Sequence, residues 1–154
     1  MSTRLERVAL LAEIVGALAV VISVVYLASE VSEGNTQAEI ANILSLYERG
    51  EAVRRIVLQD PTLLDVVRRG GADLSSLTEL ERARYELHAM NLLDVWELAY
   101  GMQLRGQISE RSWAGWDRAS CAFLSTPGTR TLLPELSPYF DPGFFAHAEG
   151  CIGG

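Results

Sequence analysis

Between Val8 and Ser29 the chain carries one charged residue, Glu13, in 22 positions. As an α-helix this run reaches about 33 Å, enough to cross a hydrocarbon layer of ~30 Å. Positions 10–27 contain eleven Leu, Ile and Val residues. At about −0.3 to −0.6 kcal/mol each, they contribute roughly −3 to −6 kcal/mol to insertion. A carboxylate at the helix centre costs about +2.5 to +3.5 kcal/mol, but Glu13 sits in the outer third, where the cost is smaller and protonation is available. The sum favours a transmembrane helix.

Two other readings compete with it. A core helix of a soluble domain would show a polar face, and positions 14–29 offer only Ser23 and Ser29. A cleaved export signal would use Arg4 and Arg7 as its basic start, but it lacks a small-x-small cleavage site, because Tyr26 stands two residues before Ala28. A retained span is therefore expected. Glu13 reads either as a helix-edge residue reaching the headgroups or as a paired intramembrane carboxylate. Ala12, Gly16, Ala19 and Ser23 are spaced 4-3-4 and fall within about 60° of one another on a helix. Small residues in such a row let two helices approach closely, so these four are the candidate packing face for another helix, including that of a second copy of the chain.

The chain has 154 residues, room for this anchor and one domain. Its net charge is −7, its 13 basic residues are all arginine, and no more than two stand in a row. With a pI near 4.8 it has no nucleic-acid footprint. Arg4, Arg7 and the amino terminus precede the span, while Glu30, Glu33 and Glu39 follow it and no arginine comes before Arg49. Arginine beside a span is retained in the cytoplasm, which weakly favours a helical domain outside it. There Cys121 and Cys151 would meet an oxidising compartment and could pair if the tail folds back.

The rest of the chain reads as helices. The expected division is an arm and transmembrane helix over 1–34, a helical domain over 35–150 and a flexible tail over 151–154. Asn35 or Thr36 is expected to cap a helix running to about Gln59, unless Gly34 merely bends a continuous one. Its apolar side would hold Ile40, Ile43, Leu44, Tyr47, Val53, Ile56 and Val57. Asp60 caps and Pro61 opens a short helix that Gly70-Gly71 should end. "ADLSSLT" reads as a loop. Thr78 and Glu81 form a capping box that opens the longest helix, 79–105, closed by Gly106. Ser109 starts another, to about 125, and shorter ones are expected over 128–136 and 142–149. No stretch alternates apolar and polar residues over a strand's length, so the predicted fold class is all-α: one N-terminal transmembrane helix followed by a compact helical bundle.

The longest helix is apolar almost all round, with Arg82, Glu86, Leu93 and Glu97 on the expected wet face, and so belongs at the bundle centre. Arg84, His88 and Asn91 share another face. Polar groups on a buried helix are paired or bind something, which makes these three the candidate ligand-binding residues; an internal hydrogen-bond network is the plainer reading. The nearest approach to a Glu-x-x-His metal pair is Glu86-Leu87-His88, at the wrong spacing, and two cysteines supply neither a zinc set nor a disulfide scaffold. With no phosphate loop or nucleophile elbow, no metal, cofactor or catalytic residue is expected. Cys121 reads as a core residue, and Trp96, Trp113 and Trp116 as a core aromatic cluster.

"AEIVGALAVVISVVYLASEV", "NTQA", "DVVRRG", "VWELAY", "GQISERSWAGW" and "FDPGFF" together make the chain similar to a broad group of uncharacterised bacterial proteins, which carry one N-terminal transmembrane segment and a small helical domain. Members have "ENAY"-like turns where this chain has Glu97-Leu98-Ala99-Tyr100, and polar or basic residues after the span where this chain has Glu30 and Glu33. The resemblance implies an architecture and no activity; the expected localisation is the bacterial inner membrane, as a single-pass protein. The leading functional expectation is an adaptor, scaffold or assembly subunit acting through protein contacts, with a partner the sequence does not name. The alternatives are a small-molecule sensor using Arg84, His88 and Asn91, and an enzyme of unknown reaction.

Overall fold

The computed structural model describes residues 2–152, with side chains from Arg7 onward. Arg4's side chain and the closing Gly153-Gly154 thus lie outside the described residues. The protein is all-α, with one long apolar N-terminal helix followed by a bundle of shorter helices and no strand among the described residues. The helices are α1 (Ser2–Gln59), α2 (Pro61–Ala72), α3 (Glu79–Leu104), α4 (Glu110–Leu124), α5 (Pro127–Leu136) and α6 (Pro142–Gly150). Contacts divide the chain into two compact units, Met1–Ile40 and Ala41–Gly154.

In the first unit α1 is long and apolar enough to cross a membrane, with an 18-residue stretch of mean hydropathy 2.7 of which nothing is buried. All residues over 7–38 are exposed. Its hydroxyls are satisfied by its own carbonyls: Ser23 Oγ donates to Ala19 O at 2.8 Å and Ser29 Oγ to Tyr26 O at 2.8 Å. Such back-bonding is how a helix keeps a polar side chain in a medium without water. Thr36, considered above as a cap, instead donates to Ser32 O at 3.0 Å inside a helix that runs on past Gly34. No proline or internal cap interrupts the backbone there, so the helix is the continuous one left open at Gly34, and no cap forms at Asn35 or Thr36.

The second unit is built on local end signals. Asp60 Oδ1 accepts from the Thr62 and Leu63 backbone N–H groups at 2.9 and 3.2 Å, with Pro61 in the first turn of α2. The capping box forms as its spacing predicts: Thr78 N–H donates to Glu81 Oε2 at 2.9 Å and Glu81 N–H to Thr78 Oγ1 at 3.3 Å. Gly106, at φ +65°, closes α3; its N–H donates to Gln103 O and that of Gln107 to Met102 O, both at 2.9 Å, the paired bonds of a left-handed glycine stop. Ser109 and Asp141 cap α4 and α6. Gly70 and Gly71 do not end α2, which runs to Ala72, and "ADLSSLT" contains a 3-10 turn at Leu74–Ser76.

The core forms around α3. Tyr85, Ala89, Leu93 and Trp96 pack with Leu124, Leu132, Leu133, Leu136 and Phe144, and a second cluster joins Ala99 to Leu46, Ile108 and Trp113. Leu93, expected on the wet face, is 1% exposed. The helix has apolar residues on nearly every side, so packing partners decide which side goes in. The same correction applies to the end of α1. The buried series is Leu46, Gly50, Val53 and Val57, whereas Leu44, Tyr47 and Ile56 stay exposed. A Cβ on Gly50 would meet Trp116 Cη2 at 3.1 Å, so this glycine lets the indole lie close against α1.

Candidate functional site

Arg84, His88 and Asn91 do line one open cleft, of about 270 Å³, with Asp60, Val53, Ile56 and Leu63. They are not equivalent within it. Arg84 Nη2 lies 2.5 Å from Asp60 Oδ2 and its Nη1 donates to Thr62 Oγ1 at 3.1 Å, so the guanidinium is already committed to the start of α2. The Thr62 hydroxyl, then the Leu63 and Thr62 N–H groups and the Arg84 charge, hold the Asp60 carboxyl below its ordinary range against the opposing effect of burial. His88 is half-buried, with its ring edge-on to Phe123 at 6.4 Å, and burial pushes its pKa down. Asn91 is exposed. The expected line of three buried polar groups is thus one ion pair, one packed ring and one surface amide.

Other polar groups of α3 serve the framework. Arg69 reaches both Asp65, at 2.7 Å, and Glu81. Arg82 bridges Glu86 and Glu135, both at 2.7 Å, which ties α3 to α5. Glu97 Oε1 accepts from Asp141 N–H at 2.5 Å, at the cap of α6. A cleft of about 400 Å³ lies here, lined by Asp94, Glu97, Leu104, Arg105 and Asp141 and apart from Arg84, His88 and Asn91.

A second group of chemically active side chains forms around the cysteine pair that the sequence left conditional on the tail folding back. Cys121 on α4 is bonded to Cys151 at the end of α6, with their Cα atoms 5.0 Å apart. Cys121 is therefore a cross-link and not a simple core thiol. Cys151 and Ile152, expected in a flexible tail, are held, and both pack against the core. Beside the disulfide, His147 Nε2 stands 2.6 Å from Asp117 Oδ1. The imidazole stacks on Tyr100 at 5.3 Å and 27°, and Trp113 is 5.6 Å away. Donor atoms of Asp117, His147 and Cys151 all lie within 4.8 Å of one another. Thirty residues separate the two halves of this group, too far for any motif to show it.

The tryptophans take separate ring partners: Trp96 packs on Phe123 at 5.5 Å, Trp113 on Tyr100 at 5.9 Å and Trp116 on Tyr47 at 5.7 Å. Along α1, a Cβ added to Gly16 would meet nothing within 4 Å, so the Ala12, Gly16, Ala19, Ser23 row faces open space. No family model, curated protein or solved structure matches this chain.

Proposed function

We propose that the protein is a single-pass membrane protein of the bacterial inner membrane, and that its helical unit works outside the cytoplasm as an adaptor or assembly subunit, binding other proteins without catalysing a reaction. The observation that carries this reading is the wholly exposed apolar stretch of α1, which buries none of its surface within the chain and needs a lipid environment to do so. The Cys121–Cys151 disulfide supports the outward orientation, since such bonds persist in oxidising compartments. Protein contact is supported by Leu44, Tyr47 and Leu58, which stay exposed within about 60° of one another on α1. The Ala12, Gly16, Ala19, Ser23 row offers a further contact, with a second copy of the chain, inside the membrane.

A pair of C-terminal fusions tests the orientation: alkaline phosphatase should be active and a fluorescent protein dark. The reverse pattern puts the bundle in the cytoplasm. Cross-linking the full chain in membranes tests the role, with a defined partner or a dimer expected and bare monomer against it. The cleft at Arg84 and His88 favours one second reading, a sensor of small molecules. Under it, a metabolite would raise the melting temperature of the full chain in detergent, and His88→Ala would abolish that rise.

A further inference from the structure

Asp117 and Cys121 stand four apart on α4, and His147 and Cys151 four apart along α6 and its C-terminal cap. An i,i+4 spacing puts both side chains of a pair on one helix face, which is how a helix offers two ligands to one ion. The two pairs converge: the cysteines are bonded, the imidazole touches the carboxylate, and the donors of Asp117, His147 and Cys151 fit within 4.8 Å. Around zinc, N and O donors sit at about 2.0–2.2 Å and sulfur at about 2.3 Å, so neighbouring donors of a tetrahedral set are roughly 3.3–3.8 Å apart. Opening the disulfide would let small side-chain rotations bring the four groups to that spacing.

We propose that the reduced chain holds one zinc-class divalent cation through Asp117, Cys121, His147 and Cys151, so that the metal and the disulfide are alternative cross-links between α4 and α6. The inference is independent of the protein-contact role. A dithiol supplies the two electrons. The Cys121 Sγ–Cys151 Sγ bond breaks, each sulfur takes a proton from the dithiol, and the dithiol leaves as its own disulfide. Metal binding then releases the two thiol protons to water as both sulfurs bind as thiolates, while the neutral imidazole and the carboxylate bind through their lone pairs. Two sulfurs and an imidazole select zinc-class ions over magnesium or calcium, which prefer oxygen. Tyr100 stacks on the imidazole and Trp113 lies beside it, contacts that restrict the plane of the ring.

The test uses the full chain in detergent, reduced with a phosphine, and titrated first with Co²⁺ and then with Zn²⁺. One equivalent of cobalt should give the visible bands of a tetrahedral ion with thiolate charge transfer, and one equivalent of zinc should bleach them. The oxidised chain should give no such bands. Asp117→Asn and His147→Gln should each weaken cobalt binding by about tenfold or more, a loss at least as large as that for outer-shell partners. Zinc should also slow alkylation of both thiols in the unaltered chain, a readout that needs no variant to fold. Absence of the bands, absence of protection, or unchanged affinity in either variant that keeps its helical circular dichroism would overturn the four-donor site.

Discussion

A side-chain carbon placed on Gly128 would stand 1.7 Å from the carbonyl oxygen of Gly70. The backbones of α2 and α5 therefore touch, with only hydrogen on Gly128 where a side chain would be. No rotamer change relieves a clash with a carbonyl. Gly128→Ala should cost more than the ~1–3 kcal/mol typical of overpacking and leave the bundle unfolded or rearranged. One residue from that contact the opposite holds. A Cβ on Gly71 meets Tyr85 Oη at 3.7 Å and Thr126 Oγ1 at 3.9 Å, both ordinary contacts, inside a helix. Gly71→Ala should stabilise by about 0.5–1 kcal/mol. Urea melts of the two full-length variants in detergent check the pair, and equal effects would refute the close crossing.

His88 and Asn91 should separate cleanly in a melting experiment. His88→Ala removes a half-buried ring lying edge-on to Phe123 and should cost about 1 kcal/mol. Asn91→Ala alters an exposed amide and should stay within about 0.5 kcal/mol. A large loss at Asn91 would mean that the cleft is closed by contacts absent here.

Acid should weaken the junction between α2 and α3. The Arg69 guanidinium first, then the Thr78 N–H and hydroxyl, hold the Glu81 carboxyl at about 2, against an ordinary value of 4.5. The folded pKa lies below the unfolded one, so this contribution is fully present above about 4.5 and is lost as the pH falls toward 2. Melting temperatures measured across that interval should drop less in Glu81→Gln than in the unaltered chain. Parallel curves would show that Glu81 is not the group responsible.

Membrane insertion rests on the apolar sum, so it should respond to one central charge. Val21→Arg adds about 3 kcal/mol at the helix centre, against a favourable total of roughly 3 to 6. The unaltered chain should stay in the membrane pellet after alkaline carbonate, and the variant should appear in part in the supernatant. Full-length unaltered protein in the supernatant would rule out the span, and a product shortened by about 28 residues would identify a cleaved signal.

The sequence alone determined the features whose partners lie within a few residues. Asp60, the Thr78–Glu81 box, Ser109 and Gly106 set helix ends because each cap bonds to backbone within its own turn. The long apolar run was legible for the same reason, since insertion is a sum over adjacent residues. Only the tertiary structure decided which side of α3 is buried, because a helix apolar on all sides leaves its orientation to its neighbours, and Leu93 went inside while Asn91 stayed out. It also decided that Arg84 pairs with Asp60, 24 residues earlier, and that Asp117 and Cys121 meet His147 and Cys151. Such meetings depend on where two helices cross, and that crossing is set by packing across the whole bundle, including the bare backbone contact of Gly70 with Gly128.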